Sequence, residues 1–187
     1  MVIGYLILLA LLGGERLFEL WLSRRNAKLA VARGAVELGF GHFRAMALVH
    51  TLFLFSCAAE VVLLHRAFPG GLGWTALGVA LAAQALRYWA IATLGARWNV
   101  RVLVVPGDAP VTSGPYRFIR HPNYVAVIAE MVSVPLIHGA WITALVFSAA
   151  NAALLTVRIK AEEAALGDSY ARAFAERPRF LPGGRHG

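Results

Sequence analysis

Charge and cysteine are both scarce in this sequence of 187 residues. Charged residues make up 15% of the chain, whereas roughly a quarter of an ordinary soluble domain is charged. The single cysteine, Cys57, excludes an internal disulfide framework and a cysteine-based zinc cluster, and we expect it to be a small buried core residue. With 59% hydrophobic residues and a mean hydropathy of +0.63, water is not expected to be the protein's only solvent.

Sequence motifs of several familiar chemistries are also missing. We find no Gly-rich dinucleotide fingerprint, no phosphate-binding loop ending in Gly-Lys-Ser or Gly-Lys-Thr, and no His-Glu-x-x-His. No two related halves with broken helices, as expected of a transporter, are present. Metal-ligand spacing is absent among the six histidines, so no metal site is predicted: His42, His50, His65, His121, His138 and His186.

Apolar segments predict an all-α integral membrane protein with five transmembrane helices. The first spans residues 2–22, and because basic residues follow it rather than precede it, we expect it to be retained and not cleaved as a signal. The second runs from Ala45 to Leu64 and the third from about Leu72 to Gly95. Each reaches the length of about 20 residues that a span requires.

The last apolar region, Asn123 to Val157, predicts two helices. As one helix it would be roughly 50 Å long at 1.5 Å per residue, which exceeds the hydrocarbon core of about 30 Å. Pro135, His138 and Gly139 lie near its middle. We therefore predict a helical hairpin as the fourth and fifth spans.

The net charge of +8 comes from 18 Lys and Arg against 10 Asp and Glu. Hydropathy favours reading these charges as topology signals, so no nucleic-acid partner is predicted. The second connection carries only His65 and Arg66, and the hairpin tip carries no Lys or Arg. A multi-pass protein of the cell inner membrane, with its amino terminus outside and its carboxy terminus cytoplasmic, fits these counts, and its basic side is expected to meet anionic lipid. The basic residues lie in the first connection, the third connection and the tail: Arg24, Arg25, Lys28, Arg33, Arg44; Arg97, Arg101, Arg117, Arg120; Arg158, Lys160, Arg172, Arg177, Arg179, Arg185.

Formal charges inside the predicted spans are costly in lipid and usually face a bundle interior or a cavity. Glu15 and Glu19 are four residues apart with Arg16 beside them, which fits either an internal ion-pair cluster or a site. Arg87 fits either a polar cavity or a pair with one of the glutamates. We expect Glu60, near the outer end of its span, to be solvated.

The densest group of polar residues is the loop from Asp108 to Tyr124. Arg117, Arg120 and His121 gather just before Pro122, which suits the first turn of a helix. A helix amino terminus favours an anion, so this cluster predicts either a carboxylate or phosphate site or contacts with lipid phosphates.

A second group follows the last span, where Arg158 precedes Glu162 by four residues and Glu163 is next to it. An intrahelical salt bridge would explain this spacing. Together with the loop, these residues would instead supply both charges that a zwitterionic ligand needs. Aromatic residues nearby could contact a planar base or a cation: Trp98, Tyr116, Phe118, Tyr124 and Tyr170.

The pattern Gly114-Pro-Tyr-x-x-x-Arg-His-Pro-x-Tyr124, a helical hairpin and then Arg158-x-x-x-Glu-Glu-x-x-Leu166 resembles the isoprenylcysteine carboxyl methyltransferase family. The related phospholipid methyltransferases share much of it. The resemblance extends from about Trp98 to Pro182, including Arg179-Phe-Leu-Pro182. The earlier spans resemble, through weaker signals, a short bacterial branch with members that methylate alkylpyrones. We accordingly divide the single membrane domain into residues 1–97, with three spans, and residues 98–187, the catalytic core.

This resemblance implies an enzyme that binds S-adenosylmethionine in a cytosolic pocket. Arg158 matches the substrate-side arginine of the family, and Arg120 could assist it in orienting the acceptor. Ala126 departs from the family, which often has glycine there, and the lack of extra spans puts recognition of prenylated proteins in doubt. The implied cofactor contacts are Pro110, Val111, Tyr116, His121, Pro122, Asn123, Tyr124 and Glu162.

Methyl transfer from a sulfonium is an in-line displacement, which requires the protein to orient donor and acceptor and to exclude water. A carboxylate or an acidic enol can arrive ionised, so no general base is required. We predict an S-adenosylmethionine-dependent O-methyltransferase for a lipophilic acceptor, either an isoprenylcysteine-like carboxylate or an alkylpyrone-type hydroxyl. The alternatives are a phospholipid N-methyltransferase and a non-enzymatic membrane scaffold.

Overall fold

The computed structural model describes residues 1–38 and 40–180 and is mostly helical. Among the sequence features named above, Leu181, Pro182, Arg185 and His186 lie outside the described residues. The five long helices are α1 (Val2–Ala32), α2 (Phe40–Leu63), α3 (Gly71–Leu94), α4 (Pro122–Leu136) and α5 (Trp141–Ala173). Two short 3-10 helices cover Gly95–Arg97 and Gly114–Arg117, and two strands are β1 (Val36–Leu38) and β2 (Val102–Val104).

Three helical segments are long and apolar enough to cross a membrane: Phe43–Leu63, Gly71–Arg97 and Trp141–Ala173. The chain is therefore a membrane protein. The other two helices fall short of this description for separate reasons. α1 carries three formal charges between Glu15 and Glu19, and α4, with 15 residues, is only about 22 Å long at 1.5 Å per residue. The count of five spans stays a prediction.

The predicted helical hairpin is present in the structure. α4 ends at Leu136, one residue after Pro135, and α5 begins at Trp141, so four residues connect the two helices. Gly139 has φ +69°, a conformation that costs little only for glycine, and the amide of Ala140 donates to the carbonyl of Pro135 (2.9 Å). Pro122 is the first residue of α4, as its sequence position predicts.

The two basic connections and the described part of the basic tail lie at one end of the helix bundle. β1 in the first connection pairs antiparallel with β2 in the third, with Val36 opposite Val104. The amides of Arg120 and His121 donate to the carbonyls of Pro178 (2.9 Å) and Arg179 (3.1 Å) in the tail. The two strands were not predicted, because segments of three residues are too short to carry a periodic signal.

The prediction of a solvated Glu60 is wrong. Its side chain is buried, with 6% exposed. The carboxylate accepts hydrogen bonds from the amides of Ile142 (3.2 Å) and Thr143 (2.7 Å) at the start of α5 and from Arg66 (2.8 Å). These amides have no partner within their own helix, and the positive end of the helix dipole stabilises the anion.

The charges inside the spans form an ion-pair cluster between α1, α3 and α4, one of the two alternatives that the sequence allows. Arg87 donates through Nε to Glu130 Oε1 (2.9 Å) and through Nη2 to Glu130 Oε2 (2.5 Å). Arg16 donates to Glu19 Oε2 (2.7 Å) and lies 3.5 Å from Glu15. Cys57, fully buried beside Tyr5 and Val61, belongs to the core as predicted.

Candidate functional site

A cavity of about 1200 Å³ opens between the helices and reaches the end of the bundle that carries the basic connections. The structure brings together around it nine of the ten residues singled out by sequence: Pro110, Val111, Tyr116, Arg120, His121, Asn123, Tyr124, Arg158 and Glu162. The tenth, Pro122, is fully buried and begins α4. Ala126 is also fully buried and does not line the cavity, so the methyl group that distinguishes it from glycine affects helix packing.

Tyr124 links the two charged residues that the sequence places four positions apart. Its hydroxyl donates to the Glu162 carboxylate and accepts from Arg158 Nε (2.8 Å). The plain intrahelical salt bridge is therefore not the arrangement found, because the tyrosine of α4 lies between both groups of α5. Arg158 also donates through Nη2 to the carbonyl of Val100 (2.6 Å) and through Nη1 to Met46 Sδ (3.3 Å).

His121 is held by a second carboxylate. Its Nε2 lies 3.0 Å from Glu163 Oε1, and since a carboxylate only accepts, Nε2 carries a proton in this contact. Arg179 donates to both oxygens of Glu163, at 3.0 and 2.6 Å. The hydrogen bond to Glu163 raises the pKa of the Arg179 guanidinium further. The tail residue thus fixes the partner of His121, which is itself 4% exposed.

The Gly-Pro-Tyr segment of the loop packs closely against α3. Gly114 has φ +56°, and a Cβ there would lie 2.8 Å from Thr93 Cγ2. Pro115 and Tyr116 are buried. Burial, together with the negative charge of Glu162, raises the pKa of the Tyr116 hydroxyl above its usual range, so this group stays protonated. Arg120 Nε donates to the carbonyl of Arg177 (2.6 Å), which ties the loop to the tail.

Replacing Gly114 by alanine should destabilise the protein by about 1–3 kcal/mol, because the substitution combines a strained backbone with a steric contact. Gly107→Ala is the matched control: Gly107 has φ +83° in the same connection, but an added Cβ would meet no atom within 4 Å. Unfolding monitored by circular dichroism in detergent should give a larger loss for Gly114→Ala. Equal losses would contradict the packing argument.

Two acceptor groups at the polar end of the cavity are available to a ligand. Asn123 Oδ1 is buried and has no hydrogen-bond partner among the described residues, and its residue lines the cavity. Glu162 presents a carboxylate to the same space. A buried acceptor without a donor is costly, so Asn123 Oδ1 suits a ligand that carries N–H groups, and the Glu162 carboxylate can accept from the same ligand.

The other end of the cavity extends between α1 and α2 as an apolar arm. Sequence reasoning missed this arm, because neither helix has a marked apolar stripe that would distinguish a cavity-facing side from a lipid-facing one. It also missed Met46 and Val100, which touch Arg158, because a thioether and a backbone carbonyl carry no charge signal. The residues that line the arm include Leu6, Leu9, Ala10, Gly13, Leu17, Leu20, Ala47, Leu54, Phe55 and Ala58.

Comparison with known proteins agrees with the sequence motifs. The family model described as the isoprenylcysteine carboxyl methyltransferase family matches residues 76–168, which run from α3 through the loop and hairpin into α5. The chain belongs to this family. The family suggests a membrane methyltransferase, and the matched region contains every residue singled out for the site.

Two bacterial relatives match most of the chain. The uncharacterized protein YpbQ of Bacillus subtilis (strain 168) is 41% identical over 160 residues, which cover 86% of this chain and 95% of the relative. An uncharacterized protein of Haemophilus influenzae is 28% identical over 159 residues, which cover 84% of this chain and 92% of that protein. Both matches are therefore longer than the family region.

Proposed function

We propose that this family member is an S-adenosylmethionine-dependent O-methyltransferase that acts on a lipophilic acceptor in the membrane. The observation that carries the proposal is the single cavity, which joins a polar end containing nine of the residues singled out by sequence to an apolar arm. A polar donor and a lipophilic acceptor can meet in such a space without leaving the protein.

The polar end suits S-adenosylmethionine chemically. Glu162 and the free oxygen of Asn123 are acceptors, as the amino groups of the cofactor require. Tyr116 and His121 line the same region and offer planar surfaces to a purine. When bound, the cofactor supplies an electrophilic methyl group on a sulfonium. The cofactor contacts proposed are Pro110, Val111, Tyr116, His121, Pro122, Asn123, Tyr124 and Glu162.

Arg158 is the residue proposed to orient the acceptor. A guanidinium has five N–H donors, and its contacts with Tyr124, Val100 and Met46 use three of them. The other two make no hydrogen bond with the residues that the structure describes, and Arg158 lines the cavity. They can hold an anionic oxygen and balance its charge. Arg120, which also lines the cavity, is proposed as a second contact of the acceptor.

The size and lining of the cavity support two ligands at once. Pockets for one drug-sized ligand usually measure about 300–1000 Å³, and this cavity, at about 1200 Å³, is larger. Its apolar arm between α1 and α2 would take a prenyl or alkyl chain entering sideways from the bilayer. Both an isoprenylcysteine-like carboxylate and an alkylpyrone-type hydroxyl satisfy these requirements.

The proposed topology has five spans in the cell inner membrane, an outer amino terminus, and the site on the cytoplasmic side. It is supported by the alternation of the five helices, because α1, α3 and α5 end, and α2 and α4 begin, at the basic end of the bundle. Lys and Arg are enriched in cytoplasmic connections. The cavity reaches the same end.

Phospholipid N-methylation is the second candidate, because the related phospholipid enzymes share much of the motif. An amine must lose a proton before it attacks. The N-methylation mechanism therefore requires a base beside the acceptor, whereas an ionised carboxylate requires only the guanidinium. The Arg158 guanidinium bonds a neutral hydroxyl and a carbonyl, so these partners leave its positive charge available to an anionic oxygen. This supports O-methylation of an ionised acceptor over N-methylation.

Incubation of the protein in nanodiscs with methyl-labelled S-adenosylmethionine tests the proposal. Three acceptors are supplied separately: an S-farnesylated cysteine derivative, an alkylpyrone and phosphatidylethanolamine. We expect label in one of the first two. Label only in phosphatidylethanolamine would replace O-methylation by N-methylation, and label in none of them with no cofactor binding would favour a scaffold.

Glu162→Ala should weaken binding of S-adenosylhomocysteine by about tenfold or more while the fold is retained, because a hydrogen bond to a charged group contributes about 1.5–3 kcal/mol. Isothermal titration calorimetry measures the change. Glu176→Ala is the control, since Glu176 is an exposed carboxylate after the same helix and does not line the cavity. Unchanged affinity in Glu162→Ala would contradict the assigned pocket.

A further inference from the structure

Charged and polar side chains also line the part of the cavity that is deeper than Arg158, that is, further from the basic end of the bundle. Arg16 and Glu19 of α1, His50 of α2 and Arg87 of α3 all border it. None of them belongs to the motif region around the loop. Ionisable groups at such a depth are costly and usually functional.

Glu19 and His50 face the cavity at equivalent positions on two helices. On α2, Met46 contacts Arg158 through Sδ (3.3 Å), and His50 is one turn further along. On α1, Ser23 Oγ accepts from the amide of Val100 (3.2 Å), the residue whose carbonyl holds Arg158, and Glu19 is one turn before Ser23. Four residues of helix rise about 6 Å. Both side chains therefore lie about one helical turn deeper than the layer of Arg158.

The Glu19 carboxylate has an oxygen that is not satisfied. Oε2 accepts from Arg16 (2.7 Å), but Oε1 is buried and has no hydrogen-bond partner among the described residues. Arg87 Nη1 is 3.7 Å from Oε1, which is too long for a hydrogen bond. Glu19 is 6% exposed, so this oxygen is a desolvated acceptor on the wall of a cavity.

His50 provides a second acceptor. Its Nδ1 lies 2.8 Å from the carbonyl of Met46, and because a carbonyl only accepts, Nδ1 carries the proton and Nε2 of the neutral ring bears a lone pair. His50 borders a small space of about 20 Å³ together with Arg16 and Glu130. Arg16, which donates to Glu19, therefore borders the same small space as the histidine.

The net charge of the surrounding cluster also favours a ligand that donates a hydrogen bond. Glu15, Glu19 and Glu130 face Arg16 and Arg87, which leaves one negative charge in excess when all five are ionised. Two acceptors and a net negative charge within an apolar arm fit a ligand with a hydrogen-bond donor on an otherwise lipophilic chain.

We propose that Glu19 and His50 form a second polar subsite in the apolar arm, which accepts a hydrogen bond from a hydroxyl or amino group of the lipophilic ligand. Identification of that ligand as the methyl acceptor rests on the proposed function. The subsite then narrows the acceptor class to chains with a donor about one helical turn from the oxygen held by Arg158. A plain hydrocarbon chain would leave both acceptors unpaired.

Competition between three chains of equal length tests the subsite without cofactor. Tetradecanol, tetradecylamine and tetradecane displace a nitroxide-labelled alkyl chain from the full protein in phosphatidylcholine nanodiscs, and electron paramagnetic resonance measures the displacement. Affinities are expressed as mole fractions in the membrane, so differences between the three chains in their partition into lipid do not affect the comparison. We expect tetradecanol or tetradecylamine to bind about tenfold more tightly than tetradecane.

His50→Leu and Glu19→Gln should each reduce that preference by roughly three- to tenfold. A greater loss for tetradecylamine in Glu19→Gln identifies an ammonium as the donor, and a greater loss for tetradecanol in His50→Leu identifies a hydroxyl. Thr51→Val is the matched control, because Thr51 lines the same cavity but its hydroxyl already donates to the carbonyl of Ala47 (2.8 Å). The control should keep the preference.

Equal affinities of the three chains for the unsubstituted protein would overturn the subsite and require no variant to fold. A preference that survives both substitutions would also overturn it. S-adenosylhomocysteine binding is measured on the same preparations. If cofactor binds and the preference is absent, only the subsite fails, whereas a preference without cofactor binding counts against the proposed function alone.

Discussion

Arg158→Ala should lower kcat by about a hundredfold while the affinity for S-adenosylhomocysteine changes little. The expected size follows from the loss of a fixed cationic donor that stabilises charge at the reacting oxygen. Arg158 lines the same cavity as the proposed cofactor contacts and the apolar arm, and two of its N–H groups make no hydrogen bond with the described residues. Initial rates with labelled S-adenosylmethionine and the best acceptor measure kcat, and calorimetry measures cofactor affinity.

Two further variants make that experiment specific. Arg158→Lys should restore only part of the rate, because an ammonium lacks the planar fork that bonds Tyr124 and Val100 while it holds an anion. Lys160→Ala removes an exposed cation two residues away and should leave the rate unchanged. A large loss of cofactor affinity with normal kcat in Arg158→Ala would assign the arginine to the cofactor instead.

Arg87→Ala should destabilise the protein by about 3–5 kcal/mol, because it removes one partner of a buried ion pair and leaves a carboxylate without its countercharge. The Arg87 side chain is 4% exposed and bonds both oxygens of Glu130. Glu19, 3.7 Å from the guanidinium, loses a neighbouring cation too. Unfolding by sodium dodecyl sulfate in mixed micelles measures the loss.

The double variant Arg87→Met/Glu130→Leu separates charge from packing. Replacing both members of a buried pair by apolar residues of similar volume is often close to neutral, so we expect most of the stability to return. If the double variant is as unstable as Arg87→Ala, the loss comes from packing between α3 and α4 and not from an unpaired carboxylate.

Local signals in the sequence predicted much of the fold. The hairpin follows from a length limit and from Pro135 and Gly139, both of which act on their immediate neighbours. The start of α4 follows in the same way from Pro122. Features that depend on distant partners were less predictable: nothing near Glu60 indicates that the amides it binds lie more than 80 residues away, at the start of α5.

The residues of the site that belong to a sequence motif could be predicted, whereas contacts that depend on helix packing could not. The motif residues do surround one cavity, but the spacing of Arg158 and Glu162 fits a direct salt bridge, and only the tertiary structure inserts Tyr124 between them. His50 stands in an apolar span, and nothing near it in the sequence indicates a cavity. Its position beside the cavity depends on how α2 packs against α1 and α5.

Calorimetric titration of S-adenosylhomocysteine into the protein in nanodiscs tests the central claim most directly, because a cofactor site at the polar end of the cavity is what every later step requires. We predict saturable binding at one site per chain, retained in Glu176→Ala and weakened in Glu162→Ala. Absence of saturable binding to a folded preparation, or equal binding by Glu162→Ala, would contradict the assignment.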